Sequence, residues 1–288
     1  MGEVIHLDGR FLSSRSEARV SLFDRGYLLG DSVFETIRAY RGRAFLLGRH
    51  LARLQHSAAV LGLPAEPLLR DLPEIAGEAL QRSALEDAVV RVSISRGEGP
   101  RGIGEVGYER PVLAVTVQPF QPYPPEGYQR GIATRQLSAR RIPPECFDPS
   151  VKSALYLPAI LARRERSAVG LIEGIQRTVD GQLAGGLVSN LFLVQSGALV
   201  TPSLSSGCLP GITRQLVLEL AEALSLPAEE RRVEPEELLH PEEAFFTNTL
   251  MECLPIAEID GRALPAAPGA ITRRVHQALR ERVREECP

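Results

Sequence analysis

The spacing of apolar residues changes several times along the chain, and each change marks an element. Ser32-Val33-Phe34-Glu35-Thr36-Ile37-Arg38 reads as a strand, and Ala18-Arg19-Val20-Ser21-Leu22 reads as a shorter one. Ala44-Phe45-Leu46-Leu47 adds a further short extended run. From His50 onward, Leu51, Leu54, Ala58 and Leu61 recur at steps of three and four, the spacing of one helical face. A second helix is expected over 68–82, and apolar strands over 88–94 and 112–117. The second half mixes strands at 191–194 and 244–247 with helices at 152–166, 212–224 and 270–285. Between the halves, Pro119, Pro122, Pro124 and Pro125 crowd one short stretch, removing backbone donors and fixing φ. The pattern predicts an α+β fold in two domains: 1–119, a proline-rich linker at 120–127, and 128–288 carrying a lone lysine.

Composition narrows the function classes. The net charge of −3 gives nucleic acid or an anionic membrane no electrostatic hold. No run approaches eighteen apolar residues, and Met1-Gly2-Glu3-Val4 lacks a basic, apolar leader, so a cytoplasmic location is expected. Cys146, Cys208, Cys253 and Cys287 are scattered and the histidines isolated, which argues against a disulfide framework or a zinc site. One feature is unusual. Of 33 basic side chains, only Lys152 is a lysine. A guanidinium stays protonated, whereas a lysine amine can lose its proton and attack a carbonyl.

Lys152 stands in Val151-Lys152-Ser153-Ala154-Leu155-Tyr156-Leu157, and further segments surround it in a definite order. Asp24-Arg25-Gly26, Gly30-Asp31-Ser32-Val33-Phe34-Glu35-Thr36, His50-Leu51-Ala52-Arg53-Leu54 and Ser95-Arg96-Gly97-Glu98-Gly99-Pro100-Arg101-Gly102 precede it. Ser189-Asn190-Leu191-Phe192, Gly211-Ile212-Thr213-Arg214 and Phe246-Thr247-Asn248-Thr249 follow. Together these resemble the fold-type IV pyridoxal-phosphate enzymes, which include branched-chain and D-amino-acid aminotransferases and aminodeoxychorismate lyases.

The resemblance implies a two-domain α+β enzyme with pyridoxal 5'-phosphate between its domains, acting as a homodimer. It makes Lys152 the Schiff-base lysine and proton shuttle. It assigns the cofactor phosphate to Arg53 and to the backbone N–H groups of Ile212 and Thr213, where a helix N-terminus favours an anion. The hydroxyls of Thr213 and Thr249 are further donors, and Tyr156 matches a tyrosine near the cofactor's phenolic oxygen. For the substrate, Arg38 and Arg101 are candidates to hold a carboxylate, with Asn248 nearby in the pattern. Neither well-known specificity is reproduced, because Ile103 and Leu29 stand where those patterns carry histidine and tyrosine. A further departure is Gly185, at the position of a glutamate that partners the pyridine nitrogen.

An aminotransferase moving an amino group between an amino acid and a 2-oxo acid is the first reading. A lyase of the aminodeoxychorismate type is the second. A cofactor-binding member with little turnover is the third, favoured by Gly185 and opposed by the retained lysine. Gly185→Glu is expected to speed the first half-reaction if the backbone there does not need glycine.

Reductive trapping with borohydride should fix the cofactor to Lys152 alone, since no other lysine side chain exists. Label recovered on the Met1 α-amine by peptide mapping would overturn the assignment.

Overall fold

The computed structural model describes residues 2–100, 102–104, 110–168 and 170–288. The chain forms two compact units. The first comprises Met1–Gln121, Val151–Leu155 and Val283–Pro288; the second comprises Pro122–Ser150 and Tyr156–Arg282.

In the first unit the elements run β1 (Val4–Leu7), β2 (Arg10–Leu12), α1 (Arg25–Leu29), β3 (Ser32–Tyr40), β4 (Arg43–Ala44), α2 (Leu47–Val60), α3 (Glu66–Ser83), β5 (Ala88–Ser95) and β6 (Val112–Pro119). The strands make one antiparallel sheet in the order β2-β1-β6-β5-β3-β4. Alternate residues of its central strands, among them Val33, Ile37, Val90, Val92, Ile94, Val115 and Val117, are fully buried, as are Leu54 of α2 and Leu72 of α3. Such burial, rather than helix propensity, holds the two helices in place. Asp24 caps α1, accepting from the backbone N–H groups of Gly26 and Tyr27.

Three sequence expectations change here. Residues 18–22 form no strand; Val20 and Leu22 stay more than half exposed, and the alternating run finds no partner strand. The run at 44–47 is strand only at Arg43–Ala44, and Leu47 opens α2 instead. The helix expected from 152 begins only at Leu157. Lys152 lies instead on an extended stretch laid along β3, with Ser153 bridging Val33. Phe34 N–H donates to Lys152 O at 3.0 Å, and Ala154 N–H donates to Ser32 O at 2.9 Å. Those bonds satisfy the backbone at the edge of β3, so the lysine groups with the first unit rather than the second.

The second unit begins at Pro122, and part of the proline-rich stretch is helical. Its elements are α4 (Pro125–Arg130), β7 (Ile132–Thr134), β8 (Gln136–Arg140), α5 (Leu157–Ala168), β9 (Ile175–Arg177), β10 (Leu183–Gly186), β11 (Asn190–Gln195), β12 (Ala198–Pro202), α6 (Ile212–Ala223), β13 (Ala228–Arg231), β14 (Glu243–Asn248), β15 (Glu252–Ile259), β16 (Arg262–Ala263) and α7 (Ala270–Glu286). The last residues of α7 group with the first unit. The main sheet runs β13-β12-β11-β14-β15-β16, with β7 pairing β15, and a small sheet runs β10-β9-β8. Leu191, Leu193, Phe246, Leu254 and Ile256 form its dry centre. On the opposite face of β11 and β14, Phe192 and Phe245 stack directly across the pair at 5.1 Å between ring centroids.

Candidate active site

The chemistry of the first unit gathers around Glu35. This carboxylate points from the middle of β3 into the protein and is fully buried. Burying a charge without partners is prohibitive, and Glu35 has three strong hydrogen bonds. Arg53 Nε donates to Oε1 at 2.7 Å, Arg53 Nη2 donates to Oε2 at 2.9 Å, and His50 Nδ1 lies 2.8 Å from Oε2. Burial works to raise its pKa, but the hydrogen bonds from Arg53 and His50 prevail and hold it at about 2. Arg53 is therefore a fixed cation with a side chain 11% exposed, not a solvated charge on a helix surface.

Lys152 sits within this field. Its backbone N–H donates to Ser57 Oγ on α2 at 3.0 Å, and its Nζ lies 4.5 Å from the centroid of the Phe34 ring. Arg91, on β5, places its guanidinium carbon 3.9 Å from the same centroid. Burial lowers the Lys152 pKa most, Arg53 and Arg91 lower it further by repulsion, and Glu35 works against them, leaving it at about 8. A lysine at 10.5 is almost wholly ammonium at neutral pH; at about 8, roughly a quarter is neutral amine at pH 7.5. That amine is a nucleophile and a base in the physiological range.

The second unit holds a helix start of its own. Gly211 is the N-cap of α6 in extended conformation, and Ile212 and Thr213 follow, both buried. The first N–H groups of a helix have no intrahelical acceptor, so this end favours an anion. Asn190, at the start of β11, donates through Nδ2 to Leu209 O at 3.0 Å and braces the loop leading into it.

Tyr156 immediately precedes α5, its carbonyl accepting from Ile160 N–H at 2.8 Å. Thr249 is half-buried in the β14–β15 turn. Arg101 lies outside the described residues. Arg38 is committed elsewhere: its Nη2 donates to Asp87 Oδ1 at 2.7 Å, and its guanidinium lies over the Phe120 ring. It also stands about 16 Å along β3 from the residue that pairs with Ser153. Asn248 is likewise occupied, its Oδ1 accepting from Leu250 N–H at 2.9 Å and Met251 N–H at 2.8 Å to shape the turn.

Gly185 requires glycine. Its φ of +138° is one that side-chain-bearing residues rarely adopt, and an added Cβ would meet Ser189 O at 3.1 Å. The expectation that Gly185→Glu restores a carboxylate there is therefore withdrawn, because the backbone must rearrange before a side chain fits. A different buried acid, Glu173, lies close by, with its Cδ 3.2 Å from where a Cβ on Gly186 would sit. Burial pushes its pKa up, against the donors that surround it.

Glu35, His50, Arg91 and Glu173 were not singled out from the sequence. Glu35 had a signal: an acid inside an apolar strand run must find a cation. Arg91 had a fainter one, since it pairs with Thr36 and so shares a face with Phe34. Glu173 had none.

Residues 32–259 match the family described as amino-transferase class IV, and the chain belongs to it. It is similar to a putative branched-chain-amino-acid aminotransferase of Methanocaldococcus jannaschii, 33% identical over 96% of this chain and 95% of that one. It is also similar to the aminodeoxychorismate lyase of Bacillus subtilis, 34% identical over 89% of this chain and 87% of the relative. Among solved structures, the branched-chain amino acid aminotransferase of Escherichia coli superposes with a TM-score of 0.92 at 28% identity, covering 98% of this chain and 94% of that one. Amino-group transfer is the activity these likenesses support.

The attachment rate of pyridoxal phosphate to cofactor-free protein should rise with pH along a curve centred near 8. Glu35→Gln removes a charge that raises the lysine pKa, so stopped-flow absorbance should find the midpoint displaced downward. A midpoint near 10.5 in the unsubstituted protein would mean Lys152 is not desolvated as the structure has it.

Proposed function

We propose that this protein is a pyridoxal-phosphate-dependent aminotransferase that moves an amino group between an amino acid and a 2-oxo acid, with Lys152 as its catalytic lysine. The observation that carries the reading is the sole lysine of the chain, half-buried along β3 with its amine beside the Phe34 ring and lowered to about 8. The residues suit a phosphorylated aldehyde. A neutral amine can capture the aldehyde, while Arg53 and the first N–H groups of α6, with Thr213 and Thr249, are the donors for its phosphate. When bound, the cofactor supplies an electrophilic carbon and an electron-withdrawing ring. Lys152 Nζ then takes the proton from the substrate's α carbon, and Tyr156 is the hydroxyl assigned to the cofactor's phenolic oxygen.

Carboxylate recognition falls to Arg101 and to Arg91 rather than to Arg38. Arg91 is exposed yet held over the ring that Lys152 also faces, which fixes its planar head on the same aromatic platform as the amine. The lyase reading stays second, supported by the Bacillus subtilis relative.

A panel of amino donors added to the loaded protein separates the two. Transamination should convert the cofactor absorbance to that of the pyridoxamine form. Release of pyruvate from aminodeoxychorismate with the spectrum restored would instead make this a lyase. In the same assay Arg91→Ala should lower kcat/KM for the donor about tenfold or more while leaving loading intact, the scale of a charge-assisted hydrogen bond. Unchanged kinetics would leave the carboxylate to Arg101.

The working form is a homodimer in the cytoplasm. Val20, Leu22, Phe23, Tyr27, Leu28 and Leu29 are each more than half exposed within one short stretch, an apolar patch that a second copy would cover. Sedimentation should give twice the 31.4 kDa chain mass, and a monomer at micromolar concentration would remove this part of the proposal.

A further inference from the structure

The second unit buries one carboxylate that the proposed reaction does not use. Glu173 is fully enclosed, and its two oxygens collect four donors. Oε1 accepts from Gly174 N–H at 2.8 Å and Leu187 N–H at 3.0 Å. Oε2 accepts from Val188 N–H at 3.3 Å and Ser189 Oγ at 3.0 Å. Three of those donors belong to the turn at 187–189. The carbonyl just before that turn, Gly186 O, accepts from Arg141 Nη2. A buried anion thus holds the N–H side of the turn, while a half-buried cation holds its carbonyl side.

The turn has no slack. A Cβ on Gly186 would fall 1.9 Å from Ser189 Oγ, so backbone and hydroxyl already fill that space. Asn190 comes next in the chain and passes the position on. Its Nδ2 grips Leu209 O at 3.0 Å, and its Oδ1 sits 2.1 Å from where a Cβ on Gly211 would be. Gly211 in turn accepts the first helical hydrogen bond of α6, from Gln215 N–H at 2.9 Å. A shift of the turn must therefore move Asn190, the loop at 209–211 and the leading N–H groups of Ile212 and Thr213.

We propose that Glu173 is a positioning residue for the anion-binding end of α6, acting through the 187–189 turn and Asn190. The proposal rests on the reading of that helix end as the seat of the cofactor phosphate. In this role Glu173 acts through the turn alone, its charge fixing the aim of the N–H groups at the helix end. Glutamine at this position keeps the shape but turns one acceptor into a donor, which then faces N–H or O–H groups that have nothing to donate to.

The test is ³¹P NMR of the loaded protein together with a cofactor titration. Glu173→Gln should displace the bound phosphate resonance and raise the Kd for pyridoxal phosphate about tenfold, the scale of one hydrogen bond to a charged group. Asn190→Ser, which breaks the relay one step later and leaves Glu173 in place, should move the same resonance in the same way. If Glu173→Gln lowers the melting temperature but leaves resonance and Kd unchanged, Glu173 is a core residue only and the proposal falls. Should that variant not fold, an unchanged resonance in Asn190→Ser overturns the relay by itself. Unsubstituted protein with no bound phosphate resonance would overturn the cofactor reading too, a result distinguishable from either variant's failure.

Discussion

Within the first unit, everything near Lys152 depends on one buried ion pair. Glu35 is inserted where no water reaches, and the pairing with Arg53 and His50 is what makes that tolerable. The consequence runs outward from there. Arg53 is prevented from swinging to solvent, its fixed positive charge opposes protonation of Lys152, and the amine remains usable near neutrality. Remove the carboxylate and an arginine is left buried without its counter-ion. Remove the arginine and a buried acid must take up a proton. Either loss disturbs the lysine through the field rather than through contact.

The second unit follows the same logic with different parts. Its charges fix backbone. Glu173 gathers N–H groups, Arg141 takes a carbonyl, and Glu243 accepts from Ile271 and Thr272 N–H at the start of α7. A backbone dipole aimed by a buried charge is preorganised, since nothing has to reorient when an anion arrives.

Much of this was legible in the chain itself. The strand at Ala88–Ser95 announced itself because it is buried along alternate positions, and the one at Ser32–Tyr40 because it is apolar and buried on both faces for most of its length. The helix α2 was visible because Leu54 and Ala58 repeat on one face. Lys152 stood out by being alone. Residues 18–22 misled because alternation says only that a strand is possible; whether another strand lies alongside is a long-range fact. The helix expected from Lys152 failed for the same kind of reason, as hydrogen bonds to Ser32 and Phe34 override local preference. Arg38 and Asn248 show the limit for sites. Both carry the right chemistry, but Arg38 Nη2 already serves Asp87 and Asn248 Oδ1 already serves two turn amides. Spacing along a sequence does not reveal such prior commitments.

The stretch Val151–Leu155 belongs with a sheet whose other strands were all made before residue 120. Val283–Pro288 returns to that unit later still, where Arg41 Nη1 donates to Cys287 O at 3.0 Å. On a ribosome adding residues from the N-terminus, the β3 edge stays unpaired until the segment carrying the lysine emerges, and the unit's last contacts wait for residues 283–288. A nascent chain that has reached only the proline-rich stretch holds Glu35, His50 and Arg53 but has no amine for them to tune. The reactive group is installed late, into a setting already built to receive it.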